Sequence, residues 1–283
     1  MSFCSNYKFR QQIIDLLYTE LFDNTFKSSK ILEKWYDLIR ENVDKDNTTW
    51  AGISNIIIPP KTKDALFECS KSNFGNSKRI VDLLKCNDFG HDTPIWLDSL
   101  CSSNNEEDTL LNNKRRIMFI SQDPKRNNRV SGNLYISTPF GFHCKDYRTG
   151  KLMTNIIQGL FSNNKDICVY LTDFHKFYVN PSSSSLSINS PLICNNKKKF
   201  ENVLKKEIEL FNPDLIVTFG NETTKDFLSF YTNAFNLFDS LSILPVVHTS
   251  NQAGAISARS SYRTKLGYKN DADMYVDMIL KNI

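Results

Sequence analysis

The chain predicts an α/β fold: a three-layer α-β-α core around a four-stranded parallel sheet, preceded by a helical N-terminal region. Three observations lead there. Four short apolar runs, at 117–120, 168–172, 215–219 and 243–247, have strand length and too little polarity to face water. Helix-length segments separate them, the pattern of parallel strands covered on both faces. Each run also ends in a polar or glycine step: Ser121-Gln122-Asp123-Pro124, Asp173, Gly220-Asn221 and His248-Thr249-Ser250.

Taken in order, residues 7–24 and 27–45 predict helices. Ile13, Leu16, Leu17 and Leu21 recur at helical spacing in the first, and Ile31, Trp35, Leu38 and Ile39 in the second. Residues 50–100 are mixed, with 56–60 (Ile-Ile-Ile-Pro-Pro) as a short extended piece. The polar stretch 102–108 reads as a connector and sets the expected division: 1–108 as the helical region, 109–283 as the core. Within the core, helices are expected at about 151–162, 197–211, 222–231 and 271–282. The second of these must stop at Phe211-Asn212-Pro213, because the residue before a proline is pushed out of helical geometry. The Ser- and Asn-rich stretch 180–196 is expected to be a loop, and no internal repeat is present.

The bulk properties narrow the function classes. A chain of 283 residues, 40% apolar with 20 Phe and 11 Tyr, can bury a sizeable core, so general disorder is excluded. No apolar run reaches the roughly 18 residues of a membrane span. The N-terminus, Met1-Ser2-Phe3-Cys4, has no basic-then-apolar signal pattern, so a cytoplasmic location is expected. The seven cysteines are an odd set without a C-x-x-C pair, which argues against a disulfide framework. Cys69, Cys86 and Cys101 leave room for a metal or iron–sulfur site, but the spacing does not favour one over buried thiols.

The net charge of +4 is unevenly spread. Between Lys114 and Lys151 stand nine Lys/Arg and two acids, a local +7, and residues 257–270 add Arg259, Arg263, Lys265 and Lys269 without an acid. One charge run is ordinarily a solvated face. Two runs beside the Asp123 and His248 strand exits favour a polyanionic substrate.

In a parallel sheet the carboxyl ends of the strands share one edge, so Asp123, Asp173 and His248 are expected to converge on one crevice. No G-x-G-x-x-G or G-x-x-x-x-G-K-[ST] phosphate cradle is present, nor a G-x-S-x-G elbow. Two classes remain: a hydrolase that uses Asp and His without a covalent step, and a non-catalytic nucleic-acid binding module.

Ser121-Gln122-Asp123-Pro124 resembles the water-activating G-Q-D-P-Y motif of the uracil-DNA glycosylase superfamily, and His248-Thr249-Ser250 is similar to its second motif, H-P-S. Between them, the stretch 204–220 resembles the helix–Pro–strand–Gly unit of its members. Order and spacing agree over roughly 112–283. The resemblance implies a DNA glycosylase that acts as a monomer, without cofactor or metal, and leaves an abasic site.

Carried over by position, Asp123 would orient and activate the attacking water, and His248 would donate a hydrogen bond to the leaving base. Phe140, or else Phe142, would stack on the flipped base, and Gln122 would join the base pocket. Ser250, Arg259 and Arg263 would hold phosphates. The family's wedge side chain falls at Gln252, a polar departure. Two more departures bear on substrate. The Tyr that closes the uracil pocket against C5 groups is replaced by Lys125, followed by Arg126, Asn127, Asn128 and Arg129 as readers of a C5 group or of phosphate. Asp173 stands where the family carries an Asn that reads uracil. A carboxylate only accepts hydrogen bonds, which suits the cytosine N4 amino group. The expectation is a glycosylase for C5-modified cytosine, such as the glucosylated hydroxymethylcytosine of viral DNA, and hence antiviral defence. The alternative is a uracil-DNA glycosylase of base excision repair.

Overall fold

A computed structural model describes residues 2–3, 7–21, 30, 32–33, 36–37, 88–92, 94–98, 114–122, 134–137, 139–141, 148–180, 189–234, 241–250 and 253–283. Its strands are β1 (Ser2–Phe3), β2 (Asp88–Asp92), β3 (Ile95–Asp98), β4 (Arg115–Ser121), β5 (Leu134–Ser137), β6 (Ile167–Asp173), β7 (Phe177–Asn180), β8 (Leu215–Phe219) and β9 (Ser242–Val246). Its main helices are α1 (Tyr7–Leu16), α2 (Arg148–Asn163), α3 (Asn189–Phe211), α4 (Asn221–Ala234), α5 (Ala253–Leu266) and α6 (Asp271–Leu280).

The four expected strands form the parallel centre of a six-stranded sheet, in the order β1-β3-β6-β4-β8-β9. They are β6, β4, β8 and β9, and each pairing among them is parallel. β3 adds antiparallel to β6, and β1 antiparallel to β3, so residues before the 102–108 connector extend the same sheet. All seven residues of β6 and all five of β8 are buried, as central strands covered on both faces must be. A separate three-stranded sheet, β5-β2-β7, has no counterpart in the sequence reading. Its strands are four or five residues long, too short for a periodicity signal.

One face of the main sheet carries α1, α3 and α4. Phe9 of α1 packs 6.0 Å from both Tyr170 of β6 and Phe211 of α3, and Tyr170 stacks on Phe211 at 5.2 Å. The other face carries α2 and α6. Gly159 of α2 makes their close approach possible, since a Cβ there would lie 2.6 Å from Cγ2 of Val276. The chain enters α6 through Asn270, whose side chain accepts the Asp273 N–H at 2.9 Å, with Asp271 and Asp273 in the positive first turn.

Most helix expectations agree with the structure. The apolar face of the first continues past α1 into a π-helical turn at Leu17–Leu21, and Ile13, Leu16, Leu17 and Leu21 are all buried. Of 27–45, the described positions 30, 32, 33, 36 and 37 are helical, with Leu32 and Tyr36 buried. α3 ends at Phe211, where Asn212 takes a φ of 48° ahead of Pro213. One expectation needs correction. α3 begins at Asn189, inside the stretch read as a loop, because helix propagates back from a strong amphipathic segment into neutral Asn and Ser. The basic segment after His248, for which no element was expected, is helical, as α5; its largely exposed face lacks an apolar stripe. The extended piece at 56–60 lies outside the described residues.

Candidate active site

The carboxyl ends of β4, β6, β8 and β9 share one edge, where Asp173 ends β6 and His248 follows β9. β4 and β6 run in register so that Ser121 pairs with Asp173. The ladder continues past them: the Phe174 N–H donates to the Ser121 carbonyl at 2.8 Å, and the His175 N–H to the Gln122 carbonyl at 2.9 Å. Strand alternation then sorts the side chains. Thr172 faces α3, where its hydroxyl meets Glu207, and Thr218 faces α4, where it meets Thr224. Ser121, Asp173 and Phe219 therefore share the opposite face, the α2/α6 side. Ser121 and Asp173 are buried there, Asp173 completely.

Phe140 stands on that same side. Its ring meets Phe219 edge-on at 4.8 Å, and its backbone sits at φ 62°, ψ 7°, a left-handed conformation that a bulky residue avoids unless its surroundings hold it there. Such strain is concentrated at functional sites. Pro139, Phe140 and Gly141 form one buried 3-10 turn over the sheet.

His248 leaves β9 beside Gly220. That glycine has φ +100°, and a Cβ on it would lie 3.2 Å from the His248 Cβ, so both its backbone and its lack of a side chain are needed. The Ser250 N–H donates to His248 Nδ1 at 2.9 Å, so in the neutral ring the proton sits on Nε2. Burial, and then the nearby Arg259 charge, lower the His248 pKa from the ordinary 6.5 to about 4. At neutral pH the residue is an uncharged imidazole with an Nε2–H to donate.

Arg259 is the one buried residue of α5. Its Nη1 donates to the carbonyl oxygens of His248 at 2.5 Å and Ser250 at 2.7 Å, and its Nε pairs with Asp271 at 3.0 Å. Tyr275 adds a bond from its hydroxyl to the Val247 carbonyl at 2.6 Å. Arg259, expected from position to hold a phosphate, is 4% exposed and ties the His248–Ser250 loop to α6. Arg263 is about one-third exposed and meets Asp271 at 3.2 Å, which leaves it accessible to solvent. Ser250 is half-buried in the same loop.

Gln122 is expected from the resemblance to join the base pocket. Its side chain turns to the α4 side of the sheet: Oε1 accepts from the Thr223 hydroxyl at 3.0 Å, and Nε2 donates to Asp226 at 3.3 Å. Nε2 also lies 3.4 Å from His175 Nε2. His175 is buried against Phe174 and Phe200, and its Nε2 is 3.5 Å from Asp226. The His175 hydrogen bond is the main cause of a lowered Asp226 pKa. Below Asp173, Lys176 and Glu207 form a fully buried ion pair at 2.9 Å, joined by Thr172.

Asp123, Lys125, Arg126, Arg129, Gln252, Phe142 and His143 lie outside the described residues, as do Cys69, Cys86 and Cys101. Cys168 is buried and Cys194 is exposed. Among the described residues no cluster of His, Cys, Asp and Glu could hold a metal, and no helix is long and apolar enough to cross a membrane.

No curated protein matches the sequence significantly. A family model, that of the uracil DNA glycosylase superfamily, matches residues 109–266, more than half of the chain. It spans β4 through α5, and so takes in every strand end of the site. The chain belongs to the uracil-DNA glycosylase superfamily, whose enzymes remove bases from DNA by hydrolysing the glycosidic bond.

Proposed function

We propose that this protein is a monofunctional DNA glycosylase that removes a C5-modified cytosine, with glucosylated hydroxymethylcytosine of viral DNA as the substrate and antiviral defence as the role. The observation that carries the reading is the placement of Asp173. A buried carboxylate ends β6 on the face that holds Ser121 and the Phe219–Phe140 pair, where a uracil enzyme needs a carboxamide. An ionised carboxylate accepts from the cytosine N4 amino group and repels uracil O4. Lys125 in place of the gating Tyr leaves space beside C5, and Arg126 and Arg129 supply donors for a sugar hydroxyl or a phosphate.

In the reaction, the N1–C1′ bond breaks with its electron pair moving into the base, and charge accumulates on O2. The neutral His248, with Nε2–H as donor, stabilises that oxygen without a proton transfer. Asp123 stabilises the positive sugar and receives the proton of the water that bonds to C1′. No lysine nucleophile is required, so the product is an abasic site in an unbroken strand. Phe140 stacks on the flipped base.

The test is incubation with four DNAs: uracil-containing, unmodified, hydroxymethylated and glucosyl-hydroxymethylated. Abasic sites are scored by alkaline cleavage and released bases by mass. The expected result is release from modified-cytosine DNA, none from unmodified DNA, and complete loss with Asp123→Ala. Release from uracil DNA alone would make this a repair enzyme. A cellular effect that survives Asp123→Ala, with no base released from any DNA, would make it a binding module.

A further inference from the structure

We propose that Thr223, Asp226 and His175 form a positioning clamp on Gln122 that sets the place of the neighbouring carboxylate, Asp123. This rests on the reading of Asp123 as the catalytic carboxylate, and assigns Gln122 a role different from base contact.

The geometry gives each end of the Gln122 carboxamide a partner. A carboxamide has one strong acceptor and two N–H donors. The acceptor receives the Thr223 hydroxyl at 3.0 Å. The amide nitrogen donates to a carboxylate oxygen of Asp226, 3.3 Å away, and His175 Nε2, 3.4 Å from that nitrogen and 3.5 Å from the same oxygen, donates to the Asp226 carboxylate. The Asp226 carboxylate can only accept, which fixes which end of the amide faces it. The Gln122 backbone is held as well, since its carbonyl takes the His175 N–H at 2.9 Å. The residue directly before Asp123 is therefore tied by main chain to the β6 exit and by side chain to the first turns of α4.

Burial already asks for partners on Thr223 and His175, while the Asp226 side chain, 40% exposed, adds little to folding. The direction of the cluster matters more. The clamp closes on the single residue between the end of β4 and the catalytic position, where an error of about 1 Å costs on the order of 100-fold in rate. A glutamate at 122 would set a second carboxylate against Asp226, so the site demands an amide.

The experiment uses the full chain with Thr223→Val, Thr223→Ser, Asp226→Asn and Gln122→Ala, singly and combined. Single-turnover base release is measured on the DNA that the unaltered protein cleaves. Hydrogen–deuterium exchange is followed in the peptide spanning 119–125. Thr223→Val and Asp226→Asn should each slow release by roughly 10- to 100-fold and raise exchange in that peptide, with DNA affinity nearly unchanged. Thr223→Ser, which keeps the hydroxyl, should restore the rate. Neither change should slow release further once Gln122 is Ala, because both act through it. Unchanged exchange, or losses that multiply in full on the Gln122→Ala background, would overturn the clamp. If the unaltered protein releases no base from any DNA, the glycosylase reading fails, and exchange alone decides the clamp: faster exchange upholds it and unchanged exchange overturns it.

Discussion

Arg259 Nη1 lies 2.5 Å from the carbonyl oxygen of His248 and 2.7 Å from that of Ser250, so one guanidinium holds both ends of the loop that presents the His248 ring. Its Nε is tied to Asp271 at the start of α6, which anchors that loop to the helix below. Arg259→Met should therefore act as a loop defect and not as the loss of a phosphate contact. Charge-assisted hydrogen bonds of this kind contribute roughly 1.5–3 kcal/mol each, so a drop in melting temperature of several degrees is expected. Base release should fall by about 100-fold, while the dependence of DNA affinity on salt keeps its slope. A slope lowered by about one would return Arg259 to the phosphate-binding set.

The His248 ring should stay neutral well below the usual histidine range. Burial and the Arg259 charge take its pKa from 6.5 to about 4. The sign follows from linkage: the unfolded chain binds a proton near pH 6.5, while the folded chain refuses it until about pH 4. Stability from this group is therefore full above pH 6.5, falls as the pH drops towards 4, and then levels off. An NMR titration of the imidazole should show a midpoint near pH 4, and the midpoint should rise in His248-loop variants that admit water. A midpoint near 6.5 in the intact protein would remove the argument for a neutral donor.

How much of this was legible in the sequence depends on the kind of residue. The central strands were legible because burial on both faces demands continuous apolar runs, and 215–219 was placed to the residue. Asp173 and His248 were legible because a parallel sheet delivers all its carboxyl ends to one edge. The clamp partners of Gln122 were not. Thr223 and Asp226 look like ordinary helix N-terminal residues, and only the pairing of β4 between β6 and β8 brings α4 beside Gln122. The burial of Arg259 was hidden for a related reason: in sequence a buried guanidinium and an exposed one are the same letter, within the same basic run. The strands of the small sheet, β5-β2-β7, were hidden by their shortness.

The Lys176–Glu207 pair offers a stability test apart from catalysis. Both side chains are fully buried, with Nζ 2.9 Å from the Glu207 carboxylate and Thr172 bonded to both. Removing one partner leaves an uncompensated charge, so Lys176→Met or Glu207→Gln should destabilise by about 3–5 kcal/mol, measured by urea unfolding. Replacing both by apolar residues of similar volume should cost much less than either single change. Equal or additive losses would mean that the two groups are not coupled.

Asp173→Asn separates the two substrate readings most directly. The change keeps shape and volume at a fully buried position, so the fold should tolerate it, and a thermal melt checks that. It turns an acceptor-only group into one that both donates and accepts, the character needed for uracil O4 and N3–H. A hydrogen-bonding contact to a base edge is worth about 1–3 kcal/mol of discrimination, so the preference between modified cytosine and uracil should shift by roughly 10- to 100-fold towards uracil. Competition between the two bases in one DNA, with products identified by mass, measures that ratio free of enzyme-concentration error. An unchanged ratio would place Asp173 outside the base contact and leave it as a buried polar residue of the α2/α6 face. A shift of the expected size would identify a single side chain as the determinant that turns a uracil pocket into a cytosine one.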